Sequence, residues 1–466
     1  MSLFRPAVAA CALSLSAAAV HAQTTPVVSP LAAFSISNPS GNLVRGDDGA
    51  LYGVAAPATS VTGGLIYRIA VDGSSIETLF QIPTAQAVQP QAGLTLASDG
   101  FFYGTTRFGG TESTTNTGTV FRISQAGTDF TVIHRFAAST ASNADFNPVN
   151  TQGAQPEAEL TEGSDGYLYG VAVAGGPNGT GAVFKVSRDG TDFAVLHTFA
   201  ADTDTTTSGL VVTVDGAAPR GPLVEGADGW FYGTASAGGA NGRGTVFRVR
   251  PDGTAFEVLH TFSATTNDAT TGQPENADGA IPTAGLVSGG DGTFYGVTSV
   301  GGTEGLGVVF AISPDGATYT VLHHFDGPTG ARPVAELLLG DDGRLYGAAA
   351  AGGLTSTNTA STLGTLFAID RAGTGFTRLH SFEAAVGASP ASRLVQLGEA
   401  DFVGTLIAAG RCGYGGVFRY SGAGATFTGD TTCGRRGNND GGGGHFGPAL
   451  LLVLGALGWR HRRRRD

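Results

Sequence analysis

Apolar and polar residues alternate along this chain in short runs, and almost every run is closed by a glycine-containing turn. Residues 222–262 show the unit. Pro222-Leu223-Val224-Glu225-Gly226 reads as a first strand turned by Asp228-Gly229, and Trp230-Phe231-Tyr232-Gly233-Thr234 as a second strand closed by Gly238-Gly239. Gly244-Thr245-Val246-Phe247-Arg248-Val249 is a third strand with Asp252-Gly253 as its turn, and Phe256 to Phe262 is the fourth. Asp-Gly between alternating runs is a strong hairpin signal, because the tight turns that match strand twist need positive φ. No comparable helical periodicity runs through the body of the chain.

The unit recurs. Tyr52, Tyr103, Tyr169, Tyr232, Tyr295 and Tyr346 are each followed by Gly, at spacings of 51, 66, 63, 63 and 51 residues. A degenerate seventh copy carries Val403-Gly404, 57 residues further on. Four short antiparallel strands repeated seven times predict an all-β fold, a seven-bladed β-propeller of four-stranded blades. A β-solenoid is the alternative, but its coils are usually far shorter than these units. Leu31-Ala32-Ala33-Phe34 sits where Leu322-His323-His324-Phe325 sits in unit five, ahead of the next first strand. This predicts an N-terminal strand closing the seventh blade, with Thr426-Phe427 competing for the same slot. Closure removes the exposed edges between the ends.

The recurring motifs are Gly-Ala-x-Pro, Asp-Gly-x-(Phe/Leu)-Tyr-Gly, Gly-Thr-Val-Phe and Leu-His-x-Phe, running through nearly all of Leu31 to Phe427. The pattern resembles the GloVer (Gloeobacter–Verrucomicrobia) tandem-repeat family. The resemblance implies an exported bacterial protein of the kind carrying various C-terminal anchors, and it implies no particular activity. Unit seven departs from the family pattern by lacking Tyr-Gly and the first Asp-Gly.

Both ends read as signals. Residues 1–22 have Arg5, an apolar run from Ala7 to Val20, and the small-residue site Val20-His21-Ala22 before Gln23, the pattern of a cleaved signal peptide. Val8-Ala9-Ala10-Cys11 offers lipidation as an alternative, although the apolar run continues past Cys11. At the other end Gly441, Gly442, Gly443 and Gly444 precede an apolar stretch from Phe446 to Trp459 and then Arg460, His461 and Arg462 to Arg465. Fourteen apolar residues cover about 21 Å as helix, short for a bilayer, and the arginines mark the cytoplasmic side. This tail resembles the GlyGly-CTERM sorting signal, which implies cleavage near the glycines by a rhombosortase-like intramembrane protease; an uncleaved tail anchor is the alternative. The expected organisation is therefore a signal peptide at 1–22, the propeller at 31–429, a linker at 430–440 and the sorting tail at 441–466. Export through the inner membrane to the cell surface or medium follows as an expectation, with signal peptidase and the rhombosortase-like enzyme as processing partners.

The formal charge of −12 rests on 26 basic and 38 acidic residues. Without Arg5, the five tail arginines and Asp466, 20 basic and 37 acidic residues remain, a balance of −17. Such a body is a poor partner for nucleic acid. Gly accounts for 75 residues, and every Gly cluster of the repeat region falls at a repeat turn, which leaves no nucleotide, haem or flavin motif. Cys412 and Cys433 are the pair left after Cys11 departs with the signal. In an oxidising compartment they are expected to form a disulfide, closing a loop of roughly 20 residues worth about 3 kcal/mol. Two free thiols are the alternative.

Strand parity sorts the loops. The D–A and B–C connections of a blade emerge at one end, and every long insertion belongs there: Ala137 to Gln152, Ala200 to Asp215, Ser263 to Asp278, Thr111 to Thr117 and Leu354 to Leu363. Rich in Thr, Asn, Asp and Gly, these loops suit binding of sugars or polar surfaces, or else serve as solvated spacers. His134, His197, His260, His323 and His380 share one repeat position, so packing between blades explains them better than catalysis. On simple alternation His260 shares a face with Phe256, Val258 and Phe262. His324 has no repeat counterpart and no evident partner. Lys185 takes the position of Arg122 and Arg248. The turn aspartates Asp48, Asp99, Asp165, Asp228, Asp291 and Asp342 are explained by turn chemistry. No cofactor is expected, and calcium on an acidic loop is the one ion worth testing.

The sharpest chemical signal lies where the repeat breaks. The residue before the first-strand Leu is Gly93 or Gly285 in two units, but Asn42, Glu159, Glu336 and Arg393 in units one, three, six and seven. First strands surround a propeller's channel, so these side chains are placed to form a polar cluster near its mouth. Glu159 and Glu336, with Arg393, are the candidate acid–base residues for a polysaccharide-acting hydrolase or lyase. The bland reading is a Glu336–Arg393 link between neighbouring blades with Glu159 solvated. The leading expectation is a monomeric, non-enzymatic propeller binding a glycan, an envelope component or a protein through the loop face; the polysaccharide-acting enzyme and a passive structural module of the envelope are the alternatives.

Overall fold

The computed structural model describes residues 26–33, 37–57, 63–109, 116–143, 147–204, 209–355, 359, 362–384, 386–408 and 415–423. Cys11, Ala22, Gln23, Cys412, Cys433, Thr426-Phe427 and Gly441 to Gly444 lie outside the described residues. So do Thr111 to Thr115 and parts of the loops 137–152, 200–215 and 354–363.

Each Tyr-Gly unit folds as one antiparallel sheet, its strands adjacent in chain order. Blade three runs Thr161–Glu162, Leu168–Ala172, Ala182–Val186 and Phe193–Thr198 from channel to rim. Blade four runs Val224–Glu225, Phe231–Ala237, Thr245–Val249 and Phe256–Thr261. Seven such blades make a seven-bladed β-propeller, with no helix among the described residues. In blade seven the outer strand is Val27–Ala33, which pairs antiparallel with Gly416–Ser421, Val27 opposite Ser421 and Ala33 opposite Gly416. The N-terminal strand closes the ring, beginning four residues before Leu31. Pro30 is tolerated there because an outer strand has a free edge.

The core lies between the blades. Among the described residues seven buried apolar clusters occur, one for each blade–blade interface. The cluster that joins blades seven and one contains Leu31, Val403 and Val417 with Leu43, Leu51 and Tyr67. Each motif has a place in these interfaces. The Asp-Gly aspartate accepts the amide two residues on and the Tyr hydroxyl of Tyr-Gly, as at Asp228 with Trp230 N (3.3 Å) and Tyr232 (2.7 Å). The Tyr ring then stacks on the next blade, Tyr169 on Phe231 at 3.8 Å and Tyr232 on Phe294 at 4.0 Å. The following Gly is required by packing: a Cβ on Gly233 would stand 2.7 Å from both Leu223 and Phe247.

In six blades an x-Pro step, part of Gly-Ala-x-Pro in all but blade two (Ala87-Val88-Gln89-Pro90), divides the inner strand in two, whereas blade one keeps it continuous over Ser37–Arg45. The x residue has positive φ in six blades: Gln89 59°, Gln155 57°, Ala218 51°, Ile281 57°, Arg332 55° and Ser389 57°. Its N–H bonds a carbonyl of the preceding blade, as Ala218 to Thr180 and Ile281 to Arg243. The proline after it packs on the glycine that opens the previous blade's third strand, Pro219 on Gly181 and Pro282 on Gly244. Thus the strand expected over Pro222 to Gly226 is only Val224–Glu225, preceded by the separate piece Ala217–Pro219. Proline and left-handed backbone interrupt the ladder.

The histidines pack between blades, stacked on the next blade's aromatic ring: His134 on Phe193, His197 on Phe256, His260 on Tyr319 and His323 on Phe376, at 3.6–3.9 Å. The face assigned to His260 by alternation is wrong in one respect. A β-bulge between Val246 and Phe247 leaves Leu259 extra on the outer strand and resets its parity. Phe256 therefore faces blade three, while His260 and Phe262 face blade five. His197 bonds Asp215 (2.9 Å) and His260 bonds Asp278 (3.1 Å). His324 Nδ1, for which no partner was evident, accepts the Thr303 amide at 3.2 Å.

Candidate functional site

Where the first strands converge, seven side chains must share the channel axis. Blades two, four and five bring Gly93, Pro222 and Gly285, and blades one, three, six and seven bring Asn42, Glu159, Glu336 and Arg393. The small residues make room for the large ones. A Cβ on Gly285 would collide with Glu336 Oε1, and one on Gly93 would lie 2.7 Å from the Asn42 carbonyl.

The four polar residues form one cluster. Asn42 Nδ2 donates to Glu159 Oε2 at 2.7 Å and to Glu336 Oε2 at 3.0 Å, and Asn42 Oδ1 accepts the Arg393 backbone amide at 2.7 Å. The Arg393 guanidinium stands 3.7 Å from Glu159 and 3.5 Å from Glu336. Blades one, three, six and seven are tied through it. Glu159 is therefore not solvated; it is buried, and it meets Glu336 across the channel. Burial pushes the Glu336 carboxyl up to about 7, with Arg393 opposing the shift and Glu159 adding to it. The two carboxylates raise Arg393 further above its ordinary value.

Sequence reasoning missed a second tier one step nearer the mouth. Glu157 pairs with Arg107 of blade two (2.9 Å) and with Arg220 of blade four. Arg107 also reaches Gln155 Oε1 at 3.4 Å. The signal was available, since position 157 is Glu in unit three where the other units carry Ser40, Gln91, Arg220, Thr283, Val334 and Ala391. Both tiers line a cavity of about 170 Å³ that includes Asn42, Glu157, Glu159, Arg220, Thr283 and Glu336. This is below the roughly 300–1,000 Å³ of ordinary small-molecule sites. It has room for one polar group rather than a cofactor.

The cavity opens at the D–A end, where the long loops stand. The connections from blades two to three, three to four and four to five are all long, and two carry small hairpins, Ala141–Ser142 with Pro148–Val149 and Thr266–Asn267 with Pro274–Glu275. They dock on the B–C turns: Asn150 N bonds the Gly176 carbonyl, and Asn276 N bonds that of Gly302. Loop Asp326–Thr329, between blades five and six, is a tight turn. Among the described residues, the sector over blades two to five is thus walled by these connections. Val27 and Ser421 lie at the opposite end, where Gly422 N bonds Ala400 O beside the first-to-second-strand turn of blade seven.

Fold and site together define a repeat-built β-propeller with a polar, plugged channel centre. The Gloeobacter/Verrucomicrobia repeat matches residues 38–276 and 268–432, and the chain belongs to that family. No curated protein matches the sequence. Similar solved structures include the extracellular domain of a one-component system from B. thetaiotaomicron, with 10% identity, TM-score 0.49, and coverage of 85% of this chain and 40% of that one. Oligogalacturonate lyase from Vibrio parahaemolyticus gives 10% identity, TM-score 0.47, and 85% and 96% coverage. A gluconolactonase from Xanthomonas campestris gives 12%, 0.38, and 74% and 89%. These likenesses concern the fold alone.

Proposed function

We propose that the protein is exported and displayed or released as a binding module, without catalysis, that holds a polar extracellular glycan on its loop-bearing face. One observation carries this reading: the channel mouth, its cavity and three neighbouring long loops share one end of the propeller, while the described chain enters and leaves at the other. A tether beyond Ala423 would leave that face free to meet a ligand. The loops are short of aromatic platforms but rich in hydroxyl and amide groups, which suits hydrogen bonding to sugars. Both channel glutamates are buried and engaged by Asn42 or Arg393, which suits an orienting role more than proton transfer.

The second reading, a polysaccharide-acting enzyme, is supported by Glu336, whose raised pKa sets it beside Glu159 as an acid near neutral pH. A panel of bacterial and plant polysaccharides separates the two, recording melting shift and product release with and without calcium. Binding without products, lost when loop 266–275 is replaced by a two-residue turn, is the expected result. Products abolished by Glu159→Gln or Glu336→Gln would establish the enzyme instead.

A further inference from the structure

The tier nearer the mouth is two-sided. Gln91, Glu157, Arg220 and Thr283, from blades two to five, line one side of the cavity, and Val334 and Ala391, from blades six and seven, line the other. Gln91, Thr283, Val334 and Ala391 are all half-buried, so each keeps some surface. The polar side belongs to the blades that the long connections wall. The Gln91 carboxamide makes no hydrogen bond to another described residue, which leaves both its donor and its acceptor unspent.

Beneath this tier the channel is shut. Asn42, Glu159, Glu336 and Arg393 meet across the axis at 2.7–3.7 Å, too close for a sugar ring to pass. The cavity is therefore a pit entered from the loop-bearing end. Its volume of about 170 Å³ equals that of about six waters at roughly 30 Å³ each, space for the leading edge of one sugar residue and not for a run of them. A residue inside a polymer is tethered on both sides, whereas a terminal residue can point inward. On the wall Glu157, Glu159 and Glu336 outnumber Arg220, which disfavours an acidic sugar. Neutral hydroxyls suit it better, because they donate to carboxylates and accept from Arg220 and Gln91. Val334 and Ala391 add apolar surface to the same space, where the C–H side of a sugar ring can leave water.

We propose that the channel pit captures the terminal residue of a neutral glycan end-on, its hydroxyl edge towards Gln91 and Arg220 and its C–H side against Val334 and Ala391. The inference rests on the reading that the loop-bearing face binds a glycan, and it names the charge class and the part of the chain that is recognised. Either end of a sugar chain presents adjacent free hydroxyls, so the chemistry recognised is that of a terminal diol.

The test uses the full chain and four neutral polysaccharides, a β-1,3-glucan, a β-1,4-mannan, a galactan and a dextran, each supplied intact and as its hexamers, with alginate hexamers as the acidic comparison. Melting shifts are recorded at pH 7 against the mass of sugar added. Stabilisation follows the concentration of binding groups, so hexamers of a bound sugar, with many more ends, should half-saturate at a mass concentration at least tenfold below that of the intact polymer. Borohydride reduction opens the ring at the reducing end; lost binding assigns that end and retained binding the other, and either supports end capture. Gln91→Leu and Val334→Asn should each raise the half-saturating concentration about tenfold, with melting temperatures of the free variants checking the fold. Gln91, which carries no internal bond, keeps the test open should Val334→Asn fail to fold. Equal affinity by mass for polymer and hexamers, tighter binding of alginate hexamers than of every neutral one, or unchanged affinity in Gln91→Leu overturns end capture while leaving the glycan-binding reading intact. Failure of every probe and of the wider polysaccharide panel overturns both.

Discussion

Burial at the centre of the channel makes an ionised Glu336 costly and Glu159 beside it adds to the cost, although Asn42 Nδ2 donates to both carboxylates. Glu336 responds by holding its proton to about pH 7 in the folded chain, against an ordinary value of 4.5. The folded state then binds a proton that the unfolded chain has released, so the contribution is favourable below pH 4.5 and is lost as pH rises through 7. The shift corresponds to about 3 kcal/mol at most. His134, His323 and His380 act oppositely, because burial lowers each to about 4 and their contribution is lost as pH falls from 6.5. The Glu336 effect is therefore read as a difference. Glu336→Gln should gain stability relative to the parent as pH rises from 5 to 8, measured by chemical denaturation at each pH. A constant difference across that range would show that Glu336 is ionised throughout.

At the scale of the element, the Gly-Ala-x-Pro segment concentrates the constraints. The x residue donates to the preceding blade, its carbonyl serves its own second strand where Val173 N meets Gln155 O, and left-handed backbone makes both possible. Side chains in that conformation cost roughly 1–2 kcal/mol. Ala218, at φ 51°, is the cleanest case, since its side chain is a single methyl. Ala218→Gly should stabilise the protein by about 1 kcal/mol, opposite to the usual effect of this substitution, as judged by the denaturation midpoint. A loss of stability would mean that the methyl's packing outweighs the strain. The motif itself was plain in the sequence, and the break it makes in the strand was not. Pro222 to Gly226 looked like one strand because periodicity does not report a sign change in φ. The bulge at Leu259 escaped for a related reason: two residues facing one partner is a relation between strands, and it moved His260 to the other side from Phe256.

The whole molecule depends on seven interfaces made by seven blades, a count possible only in a closed ring. The seventh interface uses Leu31 and Ala32 from the N-terminal strand with Val403 and Val417. Removing residues 27–33 should therefore do more than trim an edge. It would strip the outer strand from blade seven and open the core shared with blade one, and calorimetry should show a melting temperature lowered by more than 10 °C with a broader, less cooperative transition. An unchanged transition would show that another segment fills the slot, for which Thr426-Phe427 is the sequence's own candidate.

Turn chemistry, strand alternation and the Tyr-Gly interval are local properties, and by themselves they determined the number of blades, the order of strands and the end of each blade from which long loops emerge. The break in the repeat at Asn42, Glu159, Glu336 and Arg393 was also a local property, so the candidates could be named without coordinates. Their relation could not. Whether Glu159 met water or Glu336 depended on how far seven first strands close around an axis, set by contacts such as Gly41 on Gly93 and Gly221 on Gly285 between residues dozens of positions apart. The second tier of Arg107, Glu157 and Arg220 arose in the same way, from three blades meeting at one mouth. Which charges are buried and which face solvent is a property of that convergence. Composition, which gives an acidic protein, does not contain it.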